Sequence, residues 1–138
     1  MLPDWINDYI GIPFVDGGRD RAGCDCYGLV RLVLAEQFAI DAPSYHEDYR
    51  SADDRAGVAD ALEARRGGRW QEITEARMAQ AGDVAVFRVG GLPLHCGLLV
   101  SPDRMLHVAK GCETVVEPID GPVWKNRLVG LYRYLDLC

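Results

Sequence analysis

The sequence lacks long hydrophobic runs, clusters of basic residues and an even number of cysteines. No stretch approaches the roughly 18 apolar residues of a membrane helix, so membrane insertion is not expected. The 15 Lys and Arg residues are scattered along a chain of net charge −6, which disfavours nucleic-acid binding. Residues 1–8 lack a basic segment followed by an apolar core, so we expect synthesis in the cytoplasm without a signal peptide.

The odd cysteine count bears on the redox state of the chain. Five cysteines, at positions 24, 26, 96, 112 and 138, cannot all pair within one molecule. Together with the expected cytoplasmic synthesis, they indicate reduced thiols. With 138 residues the chain has room for one hydrophobic core, so we predict a single domain over residues 1–138.

The apolar pattern divides the chain into a helical first part and a strand-rich second part. Helical spacing predicts an amphipathic helix over residues 3–10, a loop over 11–25, a helix from Cys26 to about Ala39, and another helix over 53–66. Helices followed by strands that form antiparallel hairpins indicate the α+β class. The predicted strands, each bounded by Gly, Pro or Asp, cover residues 84–89, 96–100, 105–108, 114–117 and 128–134.

Cys26 stands at the junction between a glycine-rich polar loop and a predicted helix. Apolar residues at helical spacing follow it, and Asp25 is of the type that caps a helix N-terminus. Unpaired backbone N–H groups and the positive end of the helix dipole favour a thiolate at that position. The sequence therefore predicts that Cys26 has a lowered pKa and can act as a nucleophile.

Two histidines in the strand-rich part are candidates for the base that a thiol nucleophile requires. His95 precedes one predicted strand directly, and His107 lies in the next. A base within reach of Cys26, and a third group that orients the base, would complete a catalytic set. Because side chains alternate between faces, the two histidines share a face only if the hairpin loop is odd in length or a bulge shifts the register.

Several motifs, in their order along the chain, resemble those of one known family. They are residues 11–19 (GIPFVDGGR), 23–30 (GCDCYGLV), 82–87 (GDVAVF), 95–100 (HCGLLV) and 105–107 (MLH). In content, order and spacing they resemble the NlpC/p60 family of papain-like cysteine peptidases, which cut bacterial cell-wall peptides. The resemblance extends over nearly the whole chain.

The resemblance implies a fold, a reaction and a set of site residues. The implied fold packs N-terminal helices on a C-terminal antiparallel sheet of about five to six strands. Cys26 matches the family nucleophile, His95 the general base and His107 the residue that orients the base. The implied reaction is thiol-dependent hydrolysis of a peptidoglycan stem peptide, usually between γ-D-glutamate and a diamino acid, without a metal or cofactor.

Two features resemble the branch of the family found in phage tail-assembly proteins. These are the Gly-Gly-Arg segment at residues 17–19 and the aromatic residue after the cysteine, Tyr27. This branch implies a protein that is made in the host cytoplasm and carried in the tail tip of the virion. Its implied partners are peptidoglycan stem peptides and other tail-tip proteins.

The candidates for the oxyanion and substrate side of the site are Asp25, Tyr27, Phe14 and Arg19. Asp25 is expected chiefly to cap the helix, and Arg19 and Asp16 to hold the loop through surface pairs. The family often has tyrosine where this chain has Phe14, whose ring cannot donate a hydrogen bond. This departure keeps open a second hypothesis, a structural tail-tip or assembly component with a weakly active or inactive peptidase fold.

A zinc site is the main alternative for the cysteines and histidines. Its candidate ligands are Cys24, Cys26, His95, Cys96, His107 and Cys112. The Cys-x-Cys spacing at residues 24–26 differs from the Cys-x-x-Cys of a zinc knuckle, so the peptidase hypothesis is preferred. Side chains expected in the core are Cys24, Trp70 and Trp124, whereas His46 is expected in solvent.

Overall fold

The computed structural model of the chain describes residues 2–42, 70–89 and 92–134. The helix predicted over residues 53–66, together with His46 and Cys138, lies outside the described residues. Within the described ranges, every helix is too short or too polar to cross a membrane.

The N-terminal segment forms a 3-10 helix over Asp4–Asp8, shorter than the amphipathic helix predicted over residues 3–10. Ile6 and Tyr9 are buried, whereas Ile10 is exposed. A segment of this length forms few helical hydrogen bonds of its own. Packing of Ile6 and Tyr9 on the core therefore sets its conformation.

Residues 11–25 form the predicted loop, and backbone pairing holds this loop in place. Strands β1 (Arg19–Asp20) and β2 (Gly23–Cys24) form a short antiparallel hairpin within it. Near its start, Pro13 forms an isolated antiparallel bridge with Glu113. The segment that precedes the main helix is thus attached to the second part of the chain.

The main helix, α1, extends over Cys26–Phe38 and agrees with the predicted helix at both ends. Its N-cap is Asp25, in extended backbone, whose side chain accepts a hydrogen bond from the N–H of Gly28. At its C-terminal end, Ala39 has left-handed backbone (φ 56°) and donates its N–H to the carbonyl of Leu34. Both ends therefore carry recognisable caps.

The second part of the chain forms a six-stranded antiparallel sheet with the order β3-β8-β4-β5-β6-β7. Its strands are β3 (Trp70–Ile73), β4 (Val84–Val89), β5 (Leu92–Ser101), β6 (Arg104–His107), β7 (Val115–Pro118) and β8 (Leu128–Tyr134). Helix α1 packs mainly against β5, near the middle of the sheet. The predicted α+β class, with helical structure packed on an antiparallel sheet, is confirmed.

Strand β3 has no counterpart among the predicted strands, whereas β4 to β8 each overlap one. Its sequence, Trp-Gln-Glu-Ile, lacks the alternation of apolar and polar residues that indicates a strand. It forms at the sheet edge by pairing with β8, where Trp70 lies opposite Tyr134. Long-range pairing rather than local pattern determines this strand.

Apolar side chains pack on both faces of the sheet. Leu98 belongs to a cluster shared with α1, and the next residue, Leu99, belongs to a second cluster, because side chains alternate along β5. Cys24 and Trp70 are buried in the first cluster and Trp124 in the second. The three residues predicted to be in the core are therefore confirmed there.

Candidate active site

The candidate nucleophile Cys26 is the first residue of α1, and its side chain is partly exposed. The partial positive charge of a helix N-terminus favours an anionic sulfur at this position. The nearby Cys24 is fully buried, and its Sγ donates a hydrogen bond to the carbonyl oxygen of Asp20 at 3.0 Å. Of these two cysteines, Cys26 is the one that a substrate can reach.

Asp25 is buried at the start of α1 and carries two hydrogen bonds on one oxygen. Its Oδ1 accepts from the N–H of Gly28 at 2.7 Å and from Nη1 of Arg19 at 2.7 Å. The predicted cap is confirmed, but the expected surface pair of Arg19 is a largely buried ion pair, with the Arg19 side chain 15% exposed. Because these donors stabilise its charge, Asp25 opposes a thiolate at Cys26 less than a free carboxylate would.

Gly28 allows the glycine-rich loop to lie directly against the first turn of α1. A Cβ at this position would overlap the backbone oxygen of Gly18 and lie 3.0 Å from Nη1 of Arg19. The same Gly18 oxygen accepts a hydrogen bond from Arg19 at 3.0 Å. The lack of a side chain at Gly28 thus permits the ion pair beside Cys26 to form.

His95 and His107 share one face of the sheet because a bulge interrupts the β5–β6 hairpin. The register shifts between Leu99 and Ser101, so Val100 is an extra residue on β5. Without that residue, alternation would place the two histidines on opposite faces. The geometric condition derived from the sequence is met by a bulge.

Two further features of β5 shape the space around the histidines. A second register shift, against β4, lies immediately before His95 and follows its partner Phe87. At Gly97 a Cβ would lie 2.6 Å from Sδ of Met105 and 3.2 Å from Cβ of His107. A glycine at residue 97 therefore leaves room for the imidazole of His107 beside β5.

A continuous hydrogen-bonded line extends from His95 through His107 to Glu117. Nε2 of His95 lies 2.8 Å from Nδ1 of His107, and Nε2 of His107 lies 2.7 Å from Oε1 of Glu117. Both histidines are buried, whereas the Glu117 side chain is 39% exposed. Glu117 is not among the predicted site residues, and it extends the predicted set by one carboxylate.

Trp124 covers the two histidines. Its ring stacks on His95, with centroids 4.8 Å apart and planes inclined by 16°, and it meets His107 edge-on at 5.4 Å. Phe87 packs against the same indole with centroids 5.0 Å apart. Trp124 is a core residue, as predicted, and it also shields the hydrogen bond between the histidines from water, which strengthens that bond.

The chain matches the NlpC/P60 family over residues 11–133. It belongs to the NlpC/P60 family. The structure of a family member from Bacillus cereus superimposes with a TM-score of 0.67 and 19% identity, covering 98% of this chain and 41% of that one. The match supports the same fold for this chain.

Two bacterial proteins are similar in sequence to this NlpC/P60 chain. The murein DD-endopeptidase MepS/murein LD-carboxypeptidase of Escherichia coli K12 is 23% identical over 126 residues, which cover 91% of this chain and 57% of that protein. A probable endopeptidase of Haemophilus influenzae is 28% identical over 128 residues, which cover 91% of this chain and 68% of that protein. The chain thus spans little more than half the length of the E. coli relative.

The surroundings of Cys26 favour its anionic form. A hydrogen bond from Cys96 has the largest effect and, with the contribution of His95, outweighs burial and lowers the pKa of Cys26 to about 5. The same hydrogen bond, with burial, raises the pKa of Cys96 well above its usual range, so Cys96 stays protonated as the donor. Burial and then the charge of His95 lower the pKa of His107, which keeps that ring neutral.

The other candidate residues lie in the loop before α1 and in its first turn. Tyr27 is buried in the cluster shared with α1, with the guanidinium carbon of Arg19 5.8 Å from its ring centroid. Phe14 is partly buried against the same cluster, and Asp16 is exposed. Among the zinc candidates, Cys112 is exposed on the surface. In the parts of the chain that the structure describes, no three His, Cys, Asp or Glu side chains are grouped to hold a metal ion.

Proposed function

We propose that this NlpC/P60 chain is a cysteine peptidase that hydrolyses a stem-peptide amide of bacterial peptidoglycan. The observation that carries the proposal is the contact of Cys26, at a helix start, with His95, whose Nε2 lies 2.8 Å from His107. The proposal takes Cys26 as the nucleophile, His95 as the base and His107 as the group that orients the base. The names of the E. coli and H. influenzae relatives, a murein endopeptidase and a probable endopeptidase, support this substrate class.

The proposed reaction is an acyl transfer through a thioester. The thiolate of Cys26 attacks the amide carbon and forms a C–S bond, and backbone N–H groups at the start of α1 stabilise the oxyanion. Protonated His95 then donates its proton to the leaving nitrogen as the C–N bond breaks. In the second half, His95 removes a proton from water, the oxygen attacks the thioester carbon, and the C–S bond breaks to restore the thiolate.

Within this class, we propose the bond between γ-D-glutamate and a diamino acid such as meso-diaminopimelate. This choice follows from the motif resemblance at Cys26, His95 and His107. The E. coli relative is named for DD-endopeptidase and LD-carboxypeptidase activities, so the test has to separate the three bond types.

Digestion of purified peptidoglycan and defined muropeptides, followed by mass spectrometry, tests the proposal. The proteins to compare are the wild type, Cys26→Ala and Cys112→Ala, the last a matched control at an exposed cysteine. We expect the same cleaved stem peptide from wild type and Cys112→Ala, and none from Cys26→Ala. Equal product from wild type and Cys26→Ala would reject the thiol mechanism.

A second candidate function is a structural tail-tip component with little or no hydrolysis. The observation in its favour is Phe14, which packs against the core and has no hydroxyl where the family often has tyrosine. This candidate predicts no product from either wild type or Cys26→Ala. The same digestion therefore separates the two functions.

We further propose that the protein is made in the host cytoplasm and acts on the cell wall from a phage tail tip, with other tail-tip proteins as partners. The Gly-Gly-Arg segment at residues 17–19 and Tyr27, which resemble the tail-assembly branch, support this location. Mass spectrometry of purified phage particles from the organism that encodes the chain tests it. Recovery of the chain only in the cell envelope, with none in the particles, would reject it.

A further inference from the structure

Glu117 reaches the buried His107 from the neighbouring strand. In the β6–β7 pairing, His107 lies opposite Val115, and Glu117 is the next residue of β7 on the same face. From there its Oε1 lies 2.7 Å from Nε2 of His107, while Nδ1 of the same ring lies 2.8 Å from Nε2 of His95. Both nitrogens of His107 are therefore engaged, one on each side of the ring.

These two contacts assign the protons of both imidazole rings. A carboxylate oxygen only accepts hydrogen bonds, so Nε2 of His107 carries a hydrogen and donates it to Glu117. In a neutral ring Nδ1 then carries none, and it accepts from the Nε2–H of His95. In its neutral form His95 is left with an unprotonated Nδ1, the nitrogen that takes the proton of Cys26 and carries it in the charged ring.

We propose that Glu117 is a positioning residue that sets the tautomer of His107 and, through it, the tautomer of His95. The proposal rests on the cysteine peptidase function proposed above and deepens it. Without Glu117, His107 can carry its hydrogen on Nδ1 and donate to Nε2 of His95. Nδ1 of a neutral His95 would then hold the hydrogen, and this ring could not accept the proton of Cys26.

The charges around the pair fit control of the tautomer rather than of the charge state of His107. Glu117 favours a protonated His107, but burial and the charge of His95 prevail, and the pKa of His107 is lowered. His95 interacts with Cys26, and the other titratable groups that act on Cys26 are Cys96 and Asp25. Because His107 stays neutral, the position of its single proton is what Glu117 determines.

Three variants test the proposal. Glu117→Ala removes the acceptor, Glu117→Gln keeps an acceptor oxygen without the charge, and Glu113→Ala removes an exposed carboxylate just before the same strand. Nitrogen-15 NMR shifts of the imidazoles report which nitrogen of each histidine carries hydrogen. Iodoacetamide labelling of the Cys26 peptide at pH 7, and kcat and KM on a muropeptide, report the consequence for the nucleophile.

We expect Glu117→Ala to lose the Nε2–H form of His107 and to lower kcat about 10- to 100-fold with little change in KM, the range seen for the hydrogen-bond partners of metal-bound histidines, which orient an imidazole in the same way. Glu117→Gln should retain most of the activity, and Glu113→Ala should match the wild type. An unchanged His107 tautomer in Glu117→Ala would overturn the proposal. The NMR measurement needs no substrate, so it remains informative if the wild type cuts no muropeptide. That result would reject the peptidase function, whereas an altered His107 tautomer in Glu117→Ala would still support the role of Glu117.

Discussion

The two sides of the candidate active site are built over very different distances along the chain. On the helix side, Cys26 is placed by Asp25, the residue directly before it, and by Gly28, which lies in the same first turn of α1. On the strand side, His95 is placed by residues of β6 and β7 and by Trp124 from the segment between β7 and β8. Local hydrogen bonds define the first side, and the register of the sheet defines the second.

This difference predicts which substitutions change the free energy of unfolding and which change the reaction rate. On the helix side, the residues that place Cys26 depend on close backbone approach and on a buried ion pair between Arg19 and Asp25, so substitutions of these residues, unlike those of Cys26 itself, should chiefly change the free energy of unfolding. The strand side presents a hydrogen-bonded line that, in the proposed reaction, carries protons toward and away from Cys26, so its substitutions should chiefly change the rate. Four predictions test that division.

The largest effect is expected on the strand side, from His95→Asn. Asparagine cannot take the proton of Cys26 or return one to the leaving amine, so kcat/KM on a muropeptide should fall about 1,000-fold. Because His95 is buried and hydrogen-bonded to His107, urea unfolding should show a loss of about 1 to 2 kcal/mol, smaller than the effect on the rate. Activity within tenfold of wild type, or a large loss of stability, would contradict the division.

The next largest effect is expected on stability, when one glycine from each side is replaced by alanine. Gly28→Ala forces a Cβ into a backbone oxygen of Gly18 that cannot move without the loop, and it should cost at least about 3 kcal/mol of unfolding free energy. Gly97→Ala meets the flexible end of Met105 at 2.6 Å, and it should cost only about 1 kcal/mol. Chemical denaturation measures both.

The two glycine variants should also differ in activity. Gly97→Ala should slow the reaction beyond what its stability explains, because the new Cβ presses on Cβ of His107 at 3.2 Å and disturbs its bond to His95. Similar stability losses for both variants would remove the distinction between the two sides.

The same division explains what could be predicted from the sequence. The cap at Asp25, the helix from Cys26 and the burial of Cys24 are local features, and the structure confirms each of them. From the sequence one could state that His95 and His107 share a face only if the hairpin loop is odd in length or a bulge shifts the register. The presence of the bulge itself could not be predicted, because a single extra residue does not change the apolar pattern in a recognisable way.

Glu117 and Trp124 show where prediction from sequence ends. Glu117 lies within a predicted strand, but its approach to His107 depends on the register that the preceding loop allows between β6 and β7. Trp124 lies between strands, where no periodicity indicates its direction. Its burial could be predicted from residue type, and its stacking on His95 could not.

A smaller effect is expected from Asp25, which serves both as cap and as ion-pair partner. Asp25→Ala removes the acceptor for Gly28 and leaves Arg19 largely buried without this carboxylate, so it should cost about 2 to 3 kcal/mol of unfolding free energy. Asp25→Asn keeps the cap and loses only the charge, so it should cost less. Equal losses would assign the whole effect to the ion pair with Arg19.

The smallest effect is expected where the two sides meet, at the hydrogen bond between Cys96 on β5 and Cys26 on α1. That bond contributes most to the lowered pKa of Cys26, so Cys96→Ala should raise this pKa from about 5 to roughly 6 or 7. A higher pKa means less thiolate at acidic pH, so the labelling of Cys26 by iodoacetamide should require a higher pH. Mass spectrometry of the Cys26 peptide gives the profile.

Cys96→Ser is the matched control, because its hydroxyl can still donate to the sulfur of Cys26. Its labelling profile should lie closer to wild type than that of Cys96→Ala. If both profiles coincide with wild type, His95 and the helix start suffice to stabilise the thiolate. If the labelling profile shifts in Cys96→Ala alone, a side chain from the sheet adjusts the pKa of a cysteine that the helix positions. The two sides of the site would then act together at this one contact.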